Sequence, residues 1–380
     1  MSIPKSSKYL ILAALTLIAC AMCHAQAFND SKKRTLHYAK NFEIIDFKTY
    51  RIATVKASSG DSTLLHQYAL VPRGVPQPAE LPEDITIIQT PVKKVVVLET
   101  IYIGFLEALN QLETIIGIAT ADYVVNPTIR KGIEDGTIYK MQTTKALNIE
   151  RLLVLKPDLI FISTPSEPTS SILAQLKRAG LPTVITAEYQ EHHPLARAEW
   201  IKFIAAFFNA AEEANEIFDA IAARYETLLK RIDSIKNRPD VFCGAPYSGI
   251  WHMAGGDSYV AQLIRDAGGN YLWKDVTSAN AIPLDTERVF LKAANADIWL
   301  NPSFYRTQHA LFSADPRFRK FHAAQTGNIY NRTRQQTTAH GNPIWESGII
   351  HPDDVLADLI KIFHPDQMPD REFVYYEHLD

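Results

Sequence analysis

The chain has 380 residues, 47% of them hydrophobic and 10% aromatic, and a formal net charge of −3. That length suits two or three domains, and that composition excludes a disordered chain. The near-neutral balance, with no Lys/Arg stripe, gives no basis for a nucleic-acid partner, and three cysteines exclude a disulfide framework.

The chain opens with Lys5 and Lys8 ahead of an apolar run from Tyr9 to Ile18. This run is too short to span a bilayer and has the length of a secretory leader core. Leu17-Ile18-Ala19-Cys20 fits a bacterial lipobox, in which residues 1–19 are removed and Cys20 carries the lipid. The competing reading cuts after Ala25, in Cys23-His24-Ala25. Either way the mature chain is exported to the periplasm or cell envelope, and no later segment approaches the ~18 apolar residues of a spanning helix. Cys243, the one cysteine away from the leader, reads as a small buried hydrophobe beside a strand.

Residues 26–90 read as a strand-rich extension, in "FEIIDFKTYRIATV" and "LLHQYALVPRG", with a Pro-rich turn over Val71 to Asp84. From residue 91 the pattern becomes strand, helix, strand: "VKKVVVLET", then "YIGFLEALNQLETIIGIA", then a helix over Ile149 to Leu155 and a strand over Leu159 to Ser163, then "SSILAQLKRAGLPTVIT". Strands alternating with helices predict an α/β fold with a mostly parallel sheet flanked by helices. The apolar positions Trp200, Ile204, Phe207, Ala211, Ala214, Phe218, Ile221, Tyr225, Leu228 and Ile232 recur every three or four residues. With Pro194 at the start and Pro239 beyond the end, this predicts one unbroken helix over 194–236; two helices with an unmarked break are the other reading, with no Gly or Pro in "FFNAAEEAN" to force one. A second α/β block follows: "DVFCGAP", "DSYVAQLIRDAGG", "DTERVFLKAANADIWLNP", "TGNIYN" and the terminal helix "PDDVLADLIKIFHP". The two blocks share a sentence. "LNIERLLVLKPDLIFI" (Leu147 to Ile162) is echoed by "LDTERVFLKAANADIWL" (Leu284 to Leu300), a helix feeding a strand through an Asp turn. The expected division is an extension at 26–90, lobe one at 91–193, a connecting helix at 194–236, lobe two at 237–364 and a tail at 365–380.

The strings "VVVLET", "IIGIA", "NIERLLVLKPDLIFIS", "GLPTVIT", "DAGGNYLW", "TERVFLKAANADIWL" and "WESGIIHPDDVLADLIKIFHP", spread over roughly residues 91–364, resemble the periplasmic binding proteins of ABC importers for vitamin B12, ferric siderophores and haem. The resemblance implies two α/β lobes bridged by one long rigid helix, a ligand held between them, no enzymatic chemistry, no intrinsic cofactor, and a monomer that delivers its cargo to an inner-membrane permease. Because ligands of open α/β sheets sit beyond the carboxyl ends of the strands, the expected ligand contacts are Tyr102, Tyr123, Tyr247, Trp251, His252, Arg332 and Arg334, with Gln142 and Thr143 in the same set of loops; the resemblance adds Trp345, which sits where related proteins carry cleft residues. Aromatic faces and forked arginines suit an iron chelate, haem or a corrinoid such as cobalamin. The family's docking carboxylate on lobe one maps to Glu167, and the equivalent loop of lobe two, "NPSFYRTQH", has none. Glu150 and Glu287 read instead as acids in first helical turns, where the dipole favours them. Two other classes stand beside this reading. One is a zinc- or manganese-binding lipoprotein of the same rigid-helix design. The other is a metal-dependent enzyme around Glu191, His192 and His193, although adjacent histidines lack the i, i+4 spacing of a helical zinc pair.

Overall fold

The computed structural model describes residues 31–59, 62–82, 85–141, 147–163 and 167–380. Cys20, Gln142 and Thr143 lie outside the described residues, as does the side chain of Glu167.

The first lobe is built on a five-stranded, wholly parallel sheet: β6 (Val95–Val97), β7 (Ile115–Ile118), β8 (Tyr139–Lys140), β9 (Leu159–Ser163) and β10 (Thr183–Thr186), in the order β10-β9-β6-β7-β8. Successive side chains of a strand point to opposite faces, and both faces here are apolar. Val95, Val97, Leu159, Phe161 and Val184 enter the large core, whereas Val96, Leu98, Ile160, Ile162 and Ile185 enter a smaller one with Leu152, Ile172 and Leu176 from the flanking helices. The continuous β-branched runs seen in the sequence are what such doubly covered strands require. The second lobe repeats the plan with β11 (Asp240–Cys243), β14 (Asn270–Tyr271), β16 (Ile298–Leu300) and β17 (Ile329–Asn331) parallel, and β18 (Glu377–His378) antiparallel at the edge.

The sequence echo has a structural reason. In the first lobe the Asp158 carboxylate accepts the backbone N–H groups of Lys93 and Lys94, just before β6, at 2.8 and 3.2 Å. In the second, Asp297 accepts the N–H of Asp240 at the start of β11, at 2.7 Å. Each aspartate staples the turn before its own strand to the start of the neighbouring one. The preceding glutamates, Glu150 and Glu287, stand in the first turns of their helices.

The expected single helix over 194–236 is three helices: Pro194–Ala198, Ile201–Ala206 and the 22-residue Ala211–Ile232, here α7. The break falls at Asn209, whose φ of 58° is left-handed. The Ala210 N–H reaches back to the Ala205 carbonyl at 3.1 Å, which closes the helix with asparagine in the position usually held by glycine. The Phe207 carbonyl is taken by the incoming Val92 N–H. Helical spacing of apolar residues continues through this corner because both flanks bury their Phe and Ala side chains, so periodicity alone does not reveal it. At 1.5 Å per residue, α7 is about 33 Å long and links the two lobes in sequence.

The extension at the N-terminus is a sheet of its own, β1-β2-β3-β4-β5 over Lys32–Lys33, Phe42–Asp46, Arg51–Ser59, Ser62–Pro72 and Thr86–Thr90, and it joins the large core through Phe42, Ile44, Val55, Tyr68 and Ile88. It is clamped by two buried carboxylates. Glu199 accepts the backbone N–H groups of His37, Tyr38 and Ala39 at 2.8–3.1 Å and pairs with Lys202 at 3.1 Å. Glu191 accepts those of Lys40 and Asn41, with the Trp200 indole N–H at 3.3 Å. The acid of the Glu191-His192-His193 run is therefore a structural acceptor, and His193 caps the next helix through the Leu195 N–H. Removing Glu199 strands three donors and a buried ammonium. Glu199→Ala is expected to lower stability by about 3–5 kcal/mol, read as a drop in the urea midpoint, and to expose residues 31–90 to protease. An unchanged midpoint would count against the clamp.

Candidate ligand-binding cleft

The lobes meet along a seam made by the loop Gly341 to Gly348. A Cβ on Gly104 would collide with the Glu346 carbonyl oxygen, and one on Gly341 with the Tyr123 carbonyl oxygen, so glycine at these two positions permits backbone-to-backbone contact. The Glu346 carboxylate crosses the seam and accepts the N–H groups of Val125 and Asn126 at 2.9 and 2.7 Å.

Three of the expected contacts come together here. Arg332, one residue past β17, sets its guanidinium carbon 4.6 Å from the centre of the Trp345 ring, which is 38% exposed. Tyr123, half exposed, lies on the facing turn of lobe one. Tyr247, His252 and Arg334 are exposed, the first two on a small antiparallel sheet of lobe two, Pro246–Tyr247 with Ile250–Ala254 and Ala281–Asp285. Two expectations are corrected. Trp251 is wholly buried, packed among Phe242, Trp299 and Phe321, with its indole N–H on the Cys243 carbonyl at 2.9 Å. Its strand alternates, so its neighbour His252 faces out while Trp251 faces in. Tyr102 is also buried, stacked on Phe161, and only its hydroxyl, 2.9 Å from Thr186 Oγ1, joins the polar floor of the cleft.

That floor is what sequence reasoning missed. Ser163, at the end of β9, donates its N–H to Glu99 at 3.2 Å and its hydroxyl lies 3.3 Å from Glu188, which Thr186 also contacts. Two carboxyls thus straddle one serine at the carboxyl ends of β6, β9 and β10. Burial, and then repulsion by Glu188, push the Glu99 carboxyl up to about 8, and burial raises Glu188 as well. Beside them Arg197 lays its guanidinium 4.3 Å over the ring of Tyr259, which belongs to the helix Tyr259–Asp266 of lobe two. The strand-end rule points at this set, because Glu99 and Glu188 each follow a strand end by two residues.

The wall of lobe two is less satisfied than the floor. The Tyr259 hydroxyl and the Asn301 side-chain oxygen are buried with no hydrogen-bond partner among the described residues. No carboxylate among the described residues pairs with Arg332, and burial pulls its pKa below the ordinary value. A partly buried guanidinium without an anion is less well compensated than one that is paired. The site thus has two carboxyls with Arg197 beside them on the first lobe, and Arg332 under an exposed indole on the second.

Comparison with known proteins identifies the family and the fold. The model of the periplasmic binding protein family matches residues 95–335. An uncharacterised lipoprotein of Methanocaldococcus jannaschii is 26% identical over 306 residues, covering 78% of this chain and 71% of that one. Among solved structures, the apo periplasmic haem-binding protein RhuT of Roseiflexus has a TM-score of 0.56 at 18% identity, over 73% of this chain and 99% of its own. The molybdate-bound periplasmic binding protein MolA of Haemophilus influenzae has a TM-score of 0.59 at 17% identity, over 75% of this chain and 90% of its own. At these identities the structural likeness shows the fold. No helix among the described residues is long and apolar enough to cross a membrane.

The seam carboxylate gives a pH prediction. Burial raises the Glu346 carboxyl from 4.5 to about 7, against the two N–H bonds that favour its charge. A carboxyl with a raised folded-state value binds its proton more tightly folded than unfolded. Its contribution is therefore full below about pH 4.5 and is lost as pH rises through about 7. Glu346→Gln removes that titration, so its urea midpoint should fall less than wild type between about pH 5 and 7.5. Parallel slopes would exclude Glu346 as the source.

Proposed function

The chain belongs to the periplasmic binding protein family, and on that premise we propose that it captures a bulky anionic metal chelate (a ferric siderophore, haem or a corrinoid) between its lobes and hands it to the permease of an ABC importer. The observation that carries this is Arg332, a partly buried cation with no carboxylate partner among the described residues, its guanidinium 4.6 Å over a Trp345 ring that is 38% exposed. The indole offers a flat apolar plate and the guanidinium a fork for carboxylate or catecholate oxygens. A chelate that presents both a broad face and peripheral negative charge satisfies both. Tyr123 is exposed on the facing turn of lobe one, and the exposed Tyr247 and His252 on the small sheet and Arg334 beyond β17 are further candidate contacts.

A bare zinc or manganese ion is the second reading, supported by the Glu99–Glu188 pair straddling Ser163. It fits less well, because a structural or transport ion site gathers three or four ligands and the neighbouring charged group is Arg197. The lipid on Cys20 would hold the protein at the membrane surface, a reading supported by the lipoprotein description of the relative. Glu167 begins the helix Glu167–Arg178, on the loop side from which a docking carboxylate would act. Glu287 is paired with Arg317 at 3.2 Å, which leaves it a poorer docking group.

Trp345 makes the proposal measurable. Haem, cobalamin and several ferric chelates are titrated while tryptophan fluorescence is followed. One of them should quench it. Trp345→Ala and Arg332→Ala should each weaken that ligand by about 2 kcal/mol, roughly thirtyfold, with the unfolding midpoint little changed. Failure of every chelate to bind, with zinc or manganese found by metal analysis, would transfer the assignment to the second reading.

A further inference from the structure

A second cavity lies away from the cleft, where the N-terminal sheet meets the first lobe. Its volume is about 580 Å³, within the roughly 300–1,000 Å³ of small-molecule sites. One wall is Leu65, His66 and Ile87 from β4 and β5, and the other is Leu173, Lys177 and Leu181 from the helix Glu167–Arg178 and the turn after it. The two sheets do not pair edge to edge here. The Ile185 N–H of β10, which would otherwise face this gap unbonded, is taken by the Tyr68 hydroxyl at 2.8 Å.

Three features of the cavity call for an occupant. His66 Nε2 is buried and has no hydrogen-bond partner among the described residues. Lys177 is an exposed side chain at the cavity's edge that forms no ion pair among the described residues, and it stands close enough to disfavour the protonated imidazole, after burial itself. Leu65, at the mouth, leaves 61% of its surface to solvent. A neutral imidazole offers one N–H or one lone pair, and an ammonium offers donors alone. What complements both is a single anionic acceptor, and what complements the leucines is an alkyl body.

We propose that this cavity is a binding site for a small organic monocarboxylate, its carboxylate held by the Lys177 ammonium and the His66 Nε2–H and its alkyl chain laid against Leu65, Ile87 and Leu181. One ammonium and one imidazole match one negative charge, which favours a carboxylate over a dianionic phosphate. The site is independent of the cleft. β10 contributes Thr183 and Ile185 to the cavity and, at its other end, Thr186 to the cleft floor.

The test is calorimetric titration of the full chain with octanoate and with octanol, which has the same length and no charge. Octanoate should bind, and octanol about tenfold more weakly. Lys177→Glu should weaken octanoate about tenfold with no change in the unfolding midpoint. Ile87→Trp, which fills the space from a partly exposed edge strand, should block it. Arg332→Ala, in the other lobe, should leave octanoate untouched, which separates this site from the cleft. No heat with octanoate up to millimolar concentration, equal binding of octanol, or full affinity in Lys177→Glu would each overturn the proposal.

Discussion

Buried carboxylates that collect backbone N–H groups from distant parts of the chain are the interaction on which this molecule depends. Glu199 gathers residues 37–39 and Glu191 gathers 40 and 41. Glu346 gathers 125 and 126 across the lobe seam, and Asp358 gathers 374 to 376. Asp158, partly buried, and Asp297, exposed, collect N–H groups at the first strand of each lobe in a milder version of the same arrangement. For the buried four the physical logic is common. A buried charge is tolerated only when its lone pairs are filled, and loops and edge segments carry N–H groups that no ladder satisfies. Each solves the other's problem.

Against that background the cleft stands out because the same rule is broken there. Elsewhere the large buried charges have partners. At the seam, among the described residues, Arg332 lacks an anion and the Tyr259 hydroxyl lacks a hydrogen-bond partner, and Glu188 stands close enough to raise the proton affinity of Glu99. Structures place unfilled polar groups and shifted pKa values at functional sites because binding supplies what folding withheld. The family assignment and this local imbalance are separate arguments, one from likeness and one from electrostatics. The corner at Asn209 does not disturb this: the 22-residue helix still connects the lobes, and the helix Pro194–Ala198 carries Arg197 and ends at Glu199, which tie the extension and the cleft to one scaffold.

The C-terminal segment shows how little a tail reads as one. Residues 365–380 look like an appendage in the sequence, yet Tyr375, Tyr376 and Leu379 are buried, and β18 closes the second sheet. Tyr375 meets Ser347 of the seam loop at 3.2 Å, and Thr333 beside Arg332 bonds Glu377. The wall of the cleft is thus braced by residues that lie beyond the stretch matched by the family model.

By itself the sequence determined the α/β class, the doubled lobe, the helix Ile149 to Leu155 and the strand Leu159 to Ser163, because helix and strand periods are written in neighbouring residues and need no knowledge of the rest of the chain. It also pointed at Arg332 and Tyr123, which follow strand ends, and, through the resemblance, at Trp345. Tertiary structure alone decided that Trp251 is core and Trp345 is surface, that Tyr102 offers a hydroxyl and not a ring, that the helix turns at Asn209, and that Glu99, Glu188 and Arg197 share one floor. Burial and charge pairing join residues as far apart as 37 and 199 or 125 and 346, and no local pattern of side chains records which distant segment will arrive to desolvate a group or to fill its lone pairs.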